Sequence, residues 1–215
     1  DEEEEGGAEA VESHVNEING TLQTLKDFLL AGTGESSRSL APSRDTLSSL
    51  LHEIIETEHN YVQDVRFLVE AFLRPLGGMI SAELVRSIFA NAEQILELHT
   101  GLDKELQAHL DAPPADVLQQ LSASFVKRIP FFKMYAHYCS NYVYAASKLR
   151  FIRTTDDRVE AWLTGIEGQY TTTLLALLIR PVQRICQYPL QFREVTSQLR
   201  ADKGGGGGAG GSAVD

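Results

Sequence analysis

Arg180, Arg184, Gln187 and Gln191 recur at spacings of 4, 3 and 4 within Leu174–Leu199, which puts four long polar side chains on one stripe of a helix. Such a stripe can grip a partner, or it is the solvated face of an amphipathic helix opposite its leucines. Pro181 and Pro189 punctuate the same run. A proline inside a helix removes a backbone hydrogen bond and bends the axis at a cost of about 3 kcal/mol, so two of them predict a bend that shapes a surface or wraps the helix around its bundle. Glu58 is the second candidate. Leu47, Leu51, Ile54, Glu58, Tyr61, Val65, Leu68 and Phe72 keep a 4, 3 rhythm on which Glu58 is the one charge. A carboxylate in that place either pairs internally, with an arginine for instance, or lies where the stripe leaves the core and meets another molecule.

Covalent and metal chemistry have little to work with. GxSxG, P-loop and HExxH patterns are absent, and the glycine cluster lies in the C-terminal tail with no helix after it. The histidines, among them His52, His59, His99, His109 and His137, show no ligand spacing with cysteines or carboxylates. Cys139 and Cys186 suggest neither a disulfide framework nor a zinc site. The expectation is therefore no cofactor, no metal and a function that runs through a surface.

The elements that would carry that surface are helical. Residues 1–10, DEEEEGGAEA, are predicted to be disordered. In residues 11–30 the spacing of Val11, Val15, Ile18, Leu22, Leu25 and Leu29 predicts an amphipathic heptad helix. Residues 31–45 form a linker by composition. A long helix, capped by Asp45 or Thr46, should run until Pro75 stops it, and a second should run from Ser81 to Leu110. Shorter helices are expected over Ala115–Phe125, Phe131–Leu149 and Val159–Gly165, with a last one over Thr171–Leu199. Residues 204–215 are a glycine-rich tail. No useful period-two strand pattern appears, so the fold class is all-α.

Charge narrows the partners. The chain of 215 residues carries a net charge of −11. Residues 1–30 hold nine acidic residues and one basic, or −8, which leaves −3 for residues 31–215. A nearly neutral module gains no counterion-release energy along a phosphate backbone, which argues against nucleic acid. No apolar run approaches a bilayer's thickness and the N-terminus is acidic, so the chain is read as cytoplasmic.

Three segments, in order, resemble the signature regions of Dbl homology domains, the Rho guanine nucleotide exchange factors. Leu51–Leu76, LHEIIETEHNYVQDVRFLVEAFLRPL, carries a TExxYV core at Thr57, Glu58, Tyr61 and Val62. Phe125–Ala145, FVKRIPFFKMYAHYCSNYVYA, is similar to the second region. Leu174–Leu190, LLALLIRPVQRICQYPL, resembles the third, whose RPVQRxxxYPL pattern is the most specific. The resemblance implies an elongated helical bundle of the Dbl homology type over residues 46–203, lacking the family's final long helix, because only RADK and the glycine tail follow Leu199.

It also implies a partner and a mode of action. The partner would be a Rho-family small GTPase, GDP-bound and nucleotide-free, whose GDP release is promoted without covalent chemistry. A non-catalytic GTPase-binding or scaffold module is the alternative. Glu58 would meet the first switch and Arg180 the second, with Gln183 and Arg184 as the motif's QR pair, joined by Gln187 and Gln191. Arg184 could instead buttress neighbouring helices. Tyr61, Tyr138, Tyr188 and Pro189 are read as structural core. Residues 11–30 are read as an inhibitory strap over the Glu58 surface, and membrane recruitment is left to regions outside this chain.

Overall fold

The computed structural model describes residues 43–204 and nine helical positions between Ser13 and Asp27, namely Ser13, Val15, Asn16, Glu17, Asn19, Gly20, Gln23, Thr24 and Asp27. The acidic segment 1–10, most of the linker and the tail from residue 205 lie outside the described residues. So do Val11, Ile18, Leu22, Leu25 and Leu29 of the heptad stripe, which leaves Val15 as its one described member.

Every regular element among the described residues is helical. The longest helices, α1 (Ser43–Phe67) and α9 (Arg180–Gly204), pack against each other. Between them in sequence come α2 (Arg74–Gly77), α3 (Ala82–Phe89), α4 (Ala92–Gln107), α5 (Pro114–Phe132), α6 (Met134–Thr155), α7 (Asp157–Tyr170) and α8 (Leu174–Leu178). Helix α1 also packs on α4 and α5, while α6 bridges α3, α7 and α9. One continuous core joins Leu51, Ile54, Val65 and Phe72 to Ile95, Leu102, Phe125, Phe132, Ile185 and Phe192.

Several boundaries differ from those read in the sequence, each for a local reason. Asp45 and Thr46 lie inside α1, which starts at Ser43, so neither is its cap. Pro75 does not stop the helical run: residues Leu68–Leu73 widen into a π-type turn and α2 then carries Pro75 near its start. The wider turn absorbs the missing N–H and the ring's clash with the preceding turn. The helix expected over Ser81–Leu110 is two helices, broken where Ala90 adopts φ 46°. That conformation is costly for alanine, yet the break lets Ile88, Phe89, Ala92 and Ile95 all face the core, and the Asn91 amide donates to the Met134 carbonyl at 3.1 Å. Helix α5 likewise runs through Pro130 to Phe132 before α6 begins.

Side-chain caps start three of the helices. The Ser81 hydroxyl accepts from Leu84 N at 3.3 Å and Thr173 from Ala176 N at 3.1 Å. Asp156 accepts from Arg158 N and Val159 N, starting α7. Pro181 falls in the first turn of α9, where its missing N–H is an orphan anyway and costs little. Only Pro189 is a proline inside that helix, so of the two proline costs read in the sequence only one falls in a helix interior.

Candidate functional site

The pairing of α1 with α9 is fixed by a buried polar knot. Glu58 is 0% exposed and Arg184 2%. Arg184 donates from Nε and Nη2 to Glu58 Oε2 at 3.1 and 2.7 Å, and Tyr188 donates its hydroxyl to the same oxygen at 2.6 Å. The other carboxylate oxygen accepts from His99 Nδ1 of α4 at 2.7 Å, so that nitrogen carries a proton. His99 Nε2 meets the Tyr135 hydroxyl at 2.9 Å, which meets the Tyr61 hydroxyl at 2.8 Å. The Arg184 guanidinium lies 4.5 Å from the Tyr188 ring centre. Three helices, α1, α4 and α9, thus meet at one carboxylate, and α6 joins the network through Tyr135 on His99.

The electrostatics follow from that geometry. Burial pushes the Glu58 carboxyl up, but the facing His99 and Arg184 and the hydrogen bonds from His99 and Tyr188 outweigh it and bring it down to about 2. Burial likewise pushes the Tyr61, Tyr135 and Tyr188 hydroxyls well above the usual phenol range, so they stay protonated as donors. Tyr138 is buried too, donating to the Leu178 carbonyl at 2.9 Å, and Pro189 is buried beside Tyr188.

This geometry bears on two site expectations. Glu58 is enclosed by His99, Arg184 and Tyr188 inside the bundle, and Arg184 spends Nε and Nη2 on it, leaving only Nη1 toward the outer layer. Of the alternatives open for Glu58, the internal pair with an arginine is the one the structure contains.

The exposed groups lie one layer out. Arg184 Nη1 reaches the Thr57 hydroxyl at 3.1 Å, and Gln191 Nε2 donates to the same oxygen at 3.1 Å. Over this layer lies a shallow cleft of about 150 Å³ lined by Thr57, Asn60, Tyr61 and Asp64 of α1 and by Arg180, Gln183, Arg184 and Gln187 of α9. Arg180, 51% exposed, pairs with Asp64 across the cleft at 3.2 Å. Gln183 and Gln187 are exposed and Gln191 half-buried. The Gln191 carbonyl oxygen is buried with no partner among the described residues.

Glu53, Thr57, Asn60 and Asp64 step along α1 at 4, 3 and 4, the rhythm of Arg180, Arg184, Gln187 and Gln191 on α9. Glu53 is exposed at one end of that stripe, and the Thr57 hydroxyl ties back to its carbonyl at 2.7 Å. Glu53, Asn60 and Asp64 do not stand out in the sequence, where the one charge on the apolar stripe, Glu58, is the stronger signal. The signal that would have found them is the matching polar spacing one face over.

The described N-terminal positions stand elsewhere. Glu17 forms an ion pair with Arg193, and Glu17, Gly20 and Thr24 line a cleft with Arg193, Thr196, Ser197 and Arg200. Arg193 is two residues beyond Gln191 and so about 200° around the helix from it. These residues therefore lie against the far side of α9 and not over the α1–α9 cleft.

Comparison with known proteins gives the class. A family model described as the RhoGEF domain matches residues 50–204. Human pleckstrin homology domain-containing family G member 2 is 34% identical over 175 residues, 79% of this chain and 12% of that protein. The myosin-M heavy chain of Dictyostelium discoideum is 30% identical over 192 residues, 86% of this chain and 11% of that protein. A solved structure concerned with the PH and C1 domains of the Vav1 exchange factor superposes with a TM-score of 0.62 at 25% identity, covering 75% of this chain and 48% of that one. An autoinhibited Dbl homology domain solved by NMR gives 0.57 at 25% identity, over 77% of this chain and 88% of that one. The chain belongs to the RhoGEF family, and its helical bundle is a Dbl homology fold. It spans only a small part of the curated relatives, 12% and 11% of the two named here.

Proposed function

We propose that the α1–α9 cleft docks a Rho-family small GTPase, GDP-bound and nucleotide-free, and accelerates GDP release without covalent chemistry. The observation that carries this reading is the pairing of two polar stripes, Glu53, Asn60 and Asp64 with Arg180, Gln183, Gln187 and Gln191, over a buried knot that fixes their spacing. Exchange needs a surface that binds the nucleotide-free GTPase more tightly than the GDP-bound form. Reciprocity then requires GDP to be weakened by the same factor, tenfold for each roughly 1.4 kcal/mol.

A floppy surface would fit both forms. The Glu58–Arg184 pair, by locking α1 to α9, lets the cleft oppose one conformation of the switches. Glu53, in place of Glu58, supplies the exposed carboxylate that holds the first switch away from the magnesium site. Arg180 can leave its half-exposed Asp64 partner at little cost and engage the second switch beside Gln187. The orphaned Gln191 carbonyl offers an acceptor that a small shift on docking would satisfy.

The test uses the full chain and a panel of Rho-family GTPases loaded with mant-GDP. Accelerated loss of fluorescence with at least one member, together with binding to the same GTPase stripped by EDTA, is expected. Binding without acceleration would reduce the chain to a docking module. Neither binding nor acceleration across the panel overturns the reading.

A further inference from the structure

Helix α6 carries an outer face that the cleft does not use. Eight large hydrophobic side chains are exposed among the described residues, and five of them, Val126, Phe131, Val143, Tyr144 and Phe151, fall between Asp116 and Asp156. That interval contains no Asp or Glu, in a chain whose net charge is −11. Its buried side, Tyr135, Tyr138, Ala145, Leu149 and Ile152, faces the core. Tyr144, Lys148 and Phe151 follow i, i+4, i+7 along one flank of the exposed side, and Val143 and Arg150 lie on its other flank, about 100° around the helix. Val143 is 61% exposed and Phe151 57%. Lys148 and Arg150 are exposed and take part in no ion pair among the described residues. The first acid beyond the helix, Asp156, is engaged as the cap of α7.

We propose that this face of α6 rests on an anionic phospholipid surface, with Val143, Tyr144 and Phe151 in the headgroup layer and Lys148 and Arg150 on the lipid phosphates. The composition is that of an interfacial contact: aromatic rings suit the headgroup level, and lysine and arginine stems lie along apolar surface while their charges reach the phosphates. Helix α6 itself contributes no carboxylate to that face, and the half-buried Glu160 of the adjoining α7 is paired with Arg153. The chain's net negative charge is no obstacle, because charges more than about 8 Å away are screened at physiological salt. An acidic protein partner fits less well: the apolar side chains diverge from one helix and line no cleft, whereas a lipid layer deforms around each. No described helix is long and apolar enough to cross a membrane, so the contact is peripheral. It is separate from GTPase docking, since none of its residues lines the α1–α9 cleft.

The experiment is sedimentation of the full chain with vesicles of phosphatidylcholine, with and without phosphatidylserine. Binding is expected only with phosphatidylserine, weakening as salt rises. Each neutralised cation should lower the partition coefficient about fivefold, so K148Q with R150Q should lower it roughly twenty-fivefold. Y144S with F151S should release the chain from the vesicles while its helical circular dichroism at the assay temperature stays that of the wild type, because both side chains are exposed by two-fifths or more. No sedimentation with either vesicle overturns the proposal, as does equal sedimentation by wild type and both double variants. So would capture of the chain by polyglutamate with no capture by vesicles.

Discussion

Arg184 and Arg180 sit one helical turn apart on α9, yet one is 2% exposed and bonded to a buried carboxylate while the other is 51% exposed and loosely paired. Glu58 and Glu53 repeat the contrast on α1, the first buried and the second exposed. The same two helices therefore carry an inner pair of charges that holds the scaffold and, one layer out, charges exposed to solvent. The difference is one of place: a charge removed from water must be paired or it costs several kcal/mol, while an exposed one costs little to hold and little to release.

The largest effect should come from breaking the inner pair. Arg184→Ala or Glu58→Ala strands a buried charge and should cost about 3–5 kcal/mol of stability, measurable by urea or thermal unfolding, with lost exchange as a consequence of lost structure. If either variant melts like the wild type, the distinction between inner and outer charges collapses.

Acid should act on the same pair. Because Glu58 falls to about 2 in the folded chain against 4.5 as its ordinary value, its contribution is full above pH 4.5 and drains away as the pH drops toward 2. Unfolding monitored by circular dichroism should show this loss, and Glu58→Gln, already destabilised at neutral pH, should show a smaller acid dependence than the wild type.

How much of this was legible before the structure depends on how far apart the partners lie. The helices and the polar stripe of α9 follow from spacing within one element and could be read directly. The fate of Glu58 could not, because its partner is 126 residues away and a lone carboxylate on an apolar stripe reads the same whether it is paired or exposed. The break at Ala90 carries no glycine or proline to announce it, since tertiary packing imposes that conformation on an alanine. Pro181 and Pro189 looked alike in the sequence and differ only by their distance from the start of α9.

Smaller effects sharpen the outer half of the comparison. Arg180→Ala should leave stability within about 0.5 kcal/mol while weakening capture of the nucleotide-free GTPase; unchanged capture would remove Arg180 from the docking face. Deleting residues 1–40 should have the smallest effect, leaving the exchange rate as it is, because Glu17 lies against Arg193 and not over the cleft. A rise in rate on that deletion would restore the strap reading.

The most direct measurement is mant-GDP release from a responsive Rho-family GTPase by the wild type and by Glu53→Ala, at a temperature where both are folded. The outer-carboxylate account predicts at least a tenfold loss of rate, roughly 1.4 kcal/mol or more, with a melting temperature unchanged from the wild type. A Glu53→Ala chain that releases GDP as fast as the wild type would contradict it.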